Sequence, residues 1–434
     1  MTVELAIPVG TSVSALDDGQ CARLFVRGRA QDAGVARSVA GLIEDVRLRG
    51  DVALRDQARR FDGVEGLTIE VPRARWRAAL AALEPALRSA LETAAANIAT
   101  FHRAQLPPLI EIEPRPGLQL GRRADPLERV AVYAPGGRAA YPSSVLMGVV
   151  PARVAGVAEV IVCSPPGEDG LPPAIVLAAC EIGGADRVFA LGGAGAIAAV
   201  AFGTETVPRA DKVVGPGNAY VTEAKRQLNG VVAIDCPAGP SEVLVLADES
   251  ADAERVAFEL LAQAEHDPDA ASVLVSTSSE LIERGAEVLY AALPLQPRRE
   301  IIAAALRASG ALLVAHDERE MIEFNRRYAP EHLALFVREP RALLADVRNA
   351  GTVFLGDASS VAFGDYLTGA NHVLPTATLA RSYSGLSTLD FVRWTTYQQL
   401  SSDVAAQFAP ITGIFADAEG LPAHAAAARL RGGR

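Results

Sequence analysis

Apolar residues recur at helical spacing through Val39, Leu42, Ile43 and Val46 and again from Leu80 to Phe101, so the segment from about Ser38 to Leu106 is expected to be helical scaffold. Leu106, Pro107 and Pro108 end that pattern, and Leu109 to Leu120 then alternates apolar with polar residues as an exposed strand does. From Arg129 the period shortens. β-Branched runs at Val130–Tyr133, Glu159–Cys163, Arg187–Leu191, Lys212–Val214 and Val231–Asp235 predict strands. Alanine-rich apolar stretches at Ser144–Val157, Pro173–Ile182, Ala194–Phe202 and Ala219–Leu228 predict helices between them. A second alternation follows, with strands expected at Val243–Ala247, Ser272–Ser276, Ala311–Val314, Ala334–Val337 and Val353–Leu355. Strands alternating with helices argue for α/β architecture: two doubly wound parallel sheets, with a ligand cleft expected at the C-terminal ends of the strands. After Gly385 the pattern reads as helical, so Leu386 to Arg434 is expected to form a small C-terminal unit.

The chain has 434 residues, 50% of them apolar and 21% charged, which fits a multidomain globular protein and excludes a disordered one. Its 41 basic and 52 acidic side chains leave a formal charge of −11, unfavourable for nucleic acid or an anionic membrane surface. Only Lys212 and Lys225 could form a Schiff base, and Cys21, Cys163, Cys180 and Cys236 contain no CxxC pair, pointing to a reducing compartment. Met1 to Gly10 lacks the basic start and apolar core of a secretory signal, and the longest uncharged stretch, Val188 to Gly203, is 16 residues with four glycines. No membrane span and a cytoplasmic location are the expectation.

Four turn-rich stretches follow predicted strands. Tyr133-Ala-Pro-Gly-Gly-Arg-Ala-Ala-Tyr-Pro-Ser-Ser144 leads into a helix, whose N-terminal amides suit an anion such as a cofactor pyrophosphate, although a tight structural turn reads the same way. Gly192-Gly-Ala-Gly-Ala196 and Gly215-Pro-Gly-Asn218 do not match the GxGxxG dinucleotide fingerprint. Pro237-Ala-Gly-Pro-Ser-Glu242 sits where one sheet hands over to the next, so Ser241 can face a cleft.

Six histidines narrow the chemistry. His102 and His316 read as solvated surface residues, and His424, in an alanine-rich helix, reads as packing. Gln263 and His266 lie three apart at a helix end and offer half of a zinc site, or only a helix cap. Glu331-His332, between a helix and a strand, can divide base and acid work, or be a surface pair after a proline turn. Gly364-Asp-Tyr366 with Gly369-Ala-Asn-His372 reads as a glycine-punctuated loop bearing a carboxylate and an imidazole.

Together these stretches resemble histidinol dehydrogenases. The resemblance rests on Tyr133 to Met147, Gly215 to Lys225, Ala238 to Val245, Gln263-Ala-Glu-His266, Ala329-Pro-Glu-His-Leu333, Gly364-Asp-Tyr366, Asn371-His-Val-Leu-Pro-Thr376 and Ala423-His424, in the family's order from residue 130 to the C-terminus. It implies two incomplete Rossmann-like domains with small terminal units. The expected division is a tail at 1–24, a first domain of 25–128 with 242–385, an NAD-binding domain at 129–241, and a C-terminal segment, 386–434, that reaches into the partner of a homodimer. It also implies oxidation of L-histidinol through its aldehyde to L-histidine with two NAD+ and one zinc per site. Carried over by motif, Gln263, His266 and Asp365 of one chain and His424 of the other hold zinc, while Glu331 and His332 handle protons. Ser241, His372 and Glu419 line the substrate pocket, and Tyr133 and Asn218 contact NAD. Two positions depart from the family pattern. Gly195 stands where an NAD-contacting Gln is usual, and Val361 where many members carry Glu. Related enzymes of this fold oxidise other polar alcohols, including a sulfonated propanediol; a metabolite-binding protein without chemistry is the remaining alternative.

Overall fold

The computed structural model describes residues 7–27, 33–136 and 140–432. Two of its three sheets are parallel. Strands Arg187–Ala190, Glu159–Ser164, Arg129–Tyr133, Lys212–Val214 and Ala233–Ile234 lie side by side in that order. The second sheet runs Val9–Ser12, Gly310–Val314, Ala271–Ser276, Glu242–Ala247, His332–Phe336, Thr352–Leu355.

Val9–Ser12 forms one edge of the six-stranded sheet; the chain returns to it at the interior strand Glu242–Ala247, winds outward toward that edge, and crosses to the other side at His332–Phe336. Glu242 and His332 therefore open adjacent strands at the point where the winding reverses, with His332 in register with Val243. Side chains alternate between faces as the pleat requires: Val243, Val245 and Ala247 join the core with the helices Ala253–Ala264 and Arg299–Ser309, while Leu244 and Leu246 join Met321, Phe324 and Tyr328 on the other face. The handover between the two sheets is short, from Ile234 to Glu242.

The third sheet is antiparallel and joins Ile110–Arg115, Leu118–Pro126 and Val392–Leu400. The helical reading after Gly385 is thus corrected. The run Val392-Arg-Trp-Thr-Thr-Tyr397 is rich in β-branched and aromatic residues, and the nine-residue strand it opens pairs with Leu118–Pro126 before the helices Ser402–Ala418 and Pro422–Arg429 begin. Val39, Ile43, Val46, Leu91 and Ile98 of the early helices share a core with the five-stranded sheet, whereas the expected division groups 25–128 with 242–385. Residues 9–12, expected in a tail, form an edge strand.

His102 is also corrected from surface to interior. It is fully buried at the end of the helix Pro85–Arg103, in line with Leu91, Ala94 and Ile98. Its Nδ1 bonds the Ile98 carbonyl at 2.8 Å, and burial lowers its pKa.

Candidate active site

The site is organised by the main chain of Glu242. Its N–H donates to Glu331 Oε2 at 2.8 Å and its carbonyl lies 3.0 Å from His332 Nδ1. A carbonyl only accepts, so Nδ1 carries the proton and the Nε2 lone pair is left free. Nε2 is buried without a hydrogen-bond partner among the described residues and stands 3.7 Å from Asp365 Oδ1. Burial pulls the His332 pKa below its ordinary value, with the Asp365 carboxylate opposing. This is a neutral imidazole presenting a base to a narrow cavity lined by Asp365, Asn371, His372, Thr352 and Phe354.

Sequence reading places Glu331-His332 between elements; the strand starts at His332 itself, two residues earlier than expected. Ladder pairing therefore fixes the imidazole's backbone. Glu331 is buried, and burial pushes its pKa well above the carboxylate range. The Glu242 N–H and the Ser241 hydroxyl both donate to it and oppose the shift, while the Glu242 and Asp365 carboxylates add to it. Ser241 thus touches the acid of the pair. Both catalytic candidates sit at the N-terminal edge of their sheet, contrary to the expectation of a C-terminal cleft there.

Gln263 is the penultimate residue of the helix Ala253–Ala264, and His266 follows just beyond the cap at Glu265. His266 lies close enough to His332 and His372 to influence both electrostatically. Asp365, expected in a loop, sits on the short helix Val361–Tyr366. Its carbonyl is 2.8 Å from His372 Nδ1, which again leaves Nε2 free. Gly364 admits the Phe354 ring, since a Cβ there would approach it to 2.6 Å; that ring lies 6.1 Å from the His332 imidazole.

A metal fits this group in kind. Amide oxygen, imidazole nitrogen and carboxylate are all zinc donors; the end of the buried Gln263 amide that lacks a partner is Nε2, which only donates, so Gln263 would ligate through its oxygen. Among the described residues no three His, Cys, Asp or Glu side chains gather as a metal cage. His424 and Glu419 are exposed, His424 on the helix Pro422–Arg429, which packs on Ser402–Ala418. Neither joins the cluster through any interaction within the described chain.

The cofactor candidates gather at the C-terminal edge of the five-stranded sheet. The Tyr133 hydroxyl accepts from Gly193 N–H at 3.1 Å at the start of the helix Gly193–Phe202, and burial raises its pKa to about 12. Gly215, with φ +110°, lets this turn pass the Tyr133 carbonyl. Asn218 caps the helix Ala219–Leu228 through its oxygen, leaving its amide NH2 to the exterior. Gly195 faces Gln57, whose Oε1 fills the space a Cβ would need.

Sequence reading misses two acidic residues. Glu242 acts mainly through its backbone, which no side-chain motif reveals. Glu259, one turn before Gln263, accepts from Val361 N–H at 3.2 Å and from the Ser360 hydroxyl, tying the Gln263 helix to the Asp365 helix. Its burial and its spacing from Gln263 are the available signal. Val361 itself packs in the apolar core.

A family model described as histidinol dehydrogenase matches residues 26–432. Histidinol dehydrogenase of Methanosarcina mazei is 46% identical over 422 residues, 97% of each chain, and that of Methanothermobacter thermautotrophicus is 45% identical over 419 residues, 96% of this chain and 98% of that one. The crystal structure of histidinol dehydrogenase from Elizabethkingia anophelis superposes with a TM-score of 0.93 at 35% identity, over 99% of this chain and 98% of that one.

Proposed function

Because the chain belongs to the histidinol dehydrogenase family, we propose that it oxidises L-histidinol to L-histidine in two NAD+-dependent steps at the Glu331–His332 site. The observation that carries this reading is the tautomer of His332, whose free Nε2 faces the cavity shared with Asp365 and His372. In the first step His332 takes the hydroxyl proton while the carbinol carbon gives a hydride to NAD+, producing the aldehyde and NADH. In the second, ionised Glu331 takes a proton from water as it adds to the aldehyde. The resulting gem-diolate passes a second hydride to a second NAD+, and the carboxylic acid so formed loses its proton, leaving the carboxylate.

Gln263, His266 and Asp365, with His424 of the partner subunit, would hold a zinc ion. When bound, zinc polarises the substrate oxygen and orients the substrate. His372, Ser241 and Glu419 would line the substrate pocket, and Tyr133, Gly195 and Asn218 the NAD site. A homodimer is supported by apolar side chains left exposed on the helix Ser402–Ala418 and just past the last helix, including Ile411, Ile414, Phe415 and Leu430. No described helix is long and apolar enough to cross a membrane, and all four cysteines are unpaired, in keeping with a reducing cytoplasm.

Purified zinc-loaded protein given NAD+ with histidinol or with sulfopropanediol tests the substrate. NADH formation with histidinol is expected; turnover only with sulfopropanediol overturns the assignment.

A further inference from the structure

Arg27 lies far from the chemistry in sequence, yet two of the residues it holds, Glu242 and Tyr328, lead to the catalytic pair. Its guanidinium meets the Glu242 carboxylate in a two-pronged ion pair, at 2.9 and 3.0 Å, with both residues buried. The same side chain donates to the Tyr328 carbonyl at 2.7 Å and to the Leu24 carbonyl, and it stacks 3.5 Å above the Tyr328 ring. Glu242 is the residue whose N–H holds Glu331 and whose carbonyl holds His332. Tyr328 is the last residue of the helix Glu318–Tyr328, before Ala329, Pro330 and the pair itself.

Ala329 has φ +48°, a left-handed conformation that costs a non-glycine residue energy and must be enforced by its surroundings. That turn swings the chain from the helix into the strand that begins at His332. Arg27 fastens the residue before the turn, and through Glu242 it fastens the strand facing the residues after it. A buried ion pair carries a large desolvation cost, and apolar residues of similar volume often serve stability as well or better. A wholly structural role therefore leaves unexplained why Arg27 binds these two segments. Ala377 N–H also donates to the Glu242 carboxylate, at 2.9 Å, so the same carboxylate reaches the segment after His372.

We infer that Arg27 is a positioning residue for the Glu331–His332 pair, clamping the Glu242 strand to the Ala329 turn so that the carboxyl and imidazole keep their main-chain partners. The inference rests on the proposed oxidation for its kinetic consequence, but its geometric consequence stands alone.

The test uses the zinc-loaded full-length protein with Arg27→Met, which removes charge and fork, and Arg27→Lys, which keeps the charge and loses the fork. The kcat for both alcohol and aldehyde is expected to fall about 10- to 100-fold in Arg27→Met and less in Arg27→Lys. KM for NAD+ stays within about twofold, because the cofactor candidates lie on the other sheet. Crystal structures of the variants are expected to show the Glu242 bonds to Glu331 and His332 lengthened or lost. A kcat within about twofold of the parent in Arg27→Met overturns the inference. So does a variant structure in which both Glu242 bonds persist, a result readable even if the parent protein proves inert toward histidinol, which would undo the functional reading instead.

Discussion

The carbonyl of Glu242 and Nδ1 of His332 stand 3.0 Å apart, and this single contact decides which imidazole nitrogen can act as a base. An asparagine or glutamine at 332 can keep a hydrogen bond but cannot accept a proton at useful pH. Replacing His332 by Asn is expected to lower kcat for alcohol oxidation about 10²- to 10⁴-fold. Bound zinc, measured by elemental analysis, should be unchanged, because His332 is not among the proposed ligands. Loss of zinc with loss of activity would assign His332 to the metal.

Glu331 is expected to divide the two oxidations. With Glu331→Gln, aldehyde oxidation should fall far more than alcohol oxidation, measured as separate half-reactions. The pH dependence carries the same division. Burial raises the Glu331 pKa, so its active carboxylate is lost as pH falls through a value well above the ordinary carboxylate range. Burial lowers the His332 pKa, so its neutral, proton-accepting form survives to lower pH than a free imidazole's. The acid limb of aldehyde oxidation should therefore lie at higher pH than that of alcohol oxidation. Coincident limbs would contradict these roles.

The exposed position of His424 makes a sharing experiment possible. Chains carrying His424→Ala and chains carrying Glu331→Gln should each be inactive in the complete reaction. Coexpressed, random pairing puts about half of the dimers in mixed form, each with one intact site, so about a quarter of parental activity should return. No recovery in isolated mixed dimers would place His424 outside the partner's site.

Gly215 makes a prediction about the cofactor edge. At φ +110°, and with the Tyr133 carbonyl oxygen already in the space a Cβ would take, Gly215→Ala must strain the backbone and push the Tyr133 strand. A loss of about 1–3 kcal/mol in unfolding free energy is expected from the backbone alone. NAD+ affinity should weaken alongside it, measured by calorimetric titration. Unchanged stability would show that the turn relaxes freely.

Both parallel sheets are legible in the sequence because their apolar runs and glycine turns repeat along the chain. The Ala219–Leu228 helix, for example, has the expected bounds. Val392–Leu400 is misread because its partner strand, Leu118–Pro126, is more than 260 residues away, and local periodicity carries no record of such pairing. His102 is misread for the same reason: the face of its helix that becomes interior is chosen by packing against distant segments, including Asn371. Residue types at the site, such as Glu331, His332, Gln263 and Asp365, are legible as motifs. What holds them is not, because the Glu242 contacts are main-chain bonds made by strand adjacency.

The most direct measurement of the central claim is the electron count. Zinc-loaded protein with excess NAD+ and a limiting amount of histidinol, with product identified by mass spectrometry, should give two NADH and one histidine for each histidinol consumed. One NADH with accumulated aldehyde would contradict the claim that a single site completes both oxidations, and no NADH would contradict the assignment of histidinol as substrate.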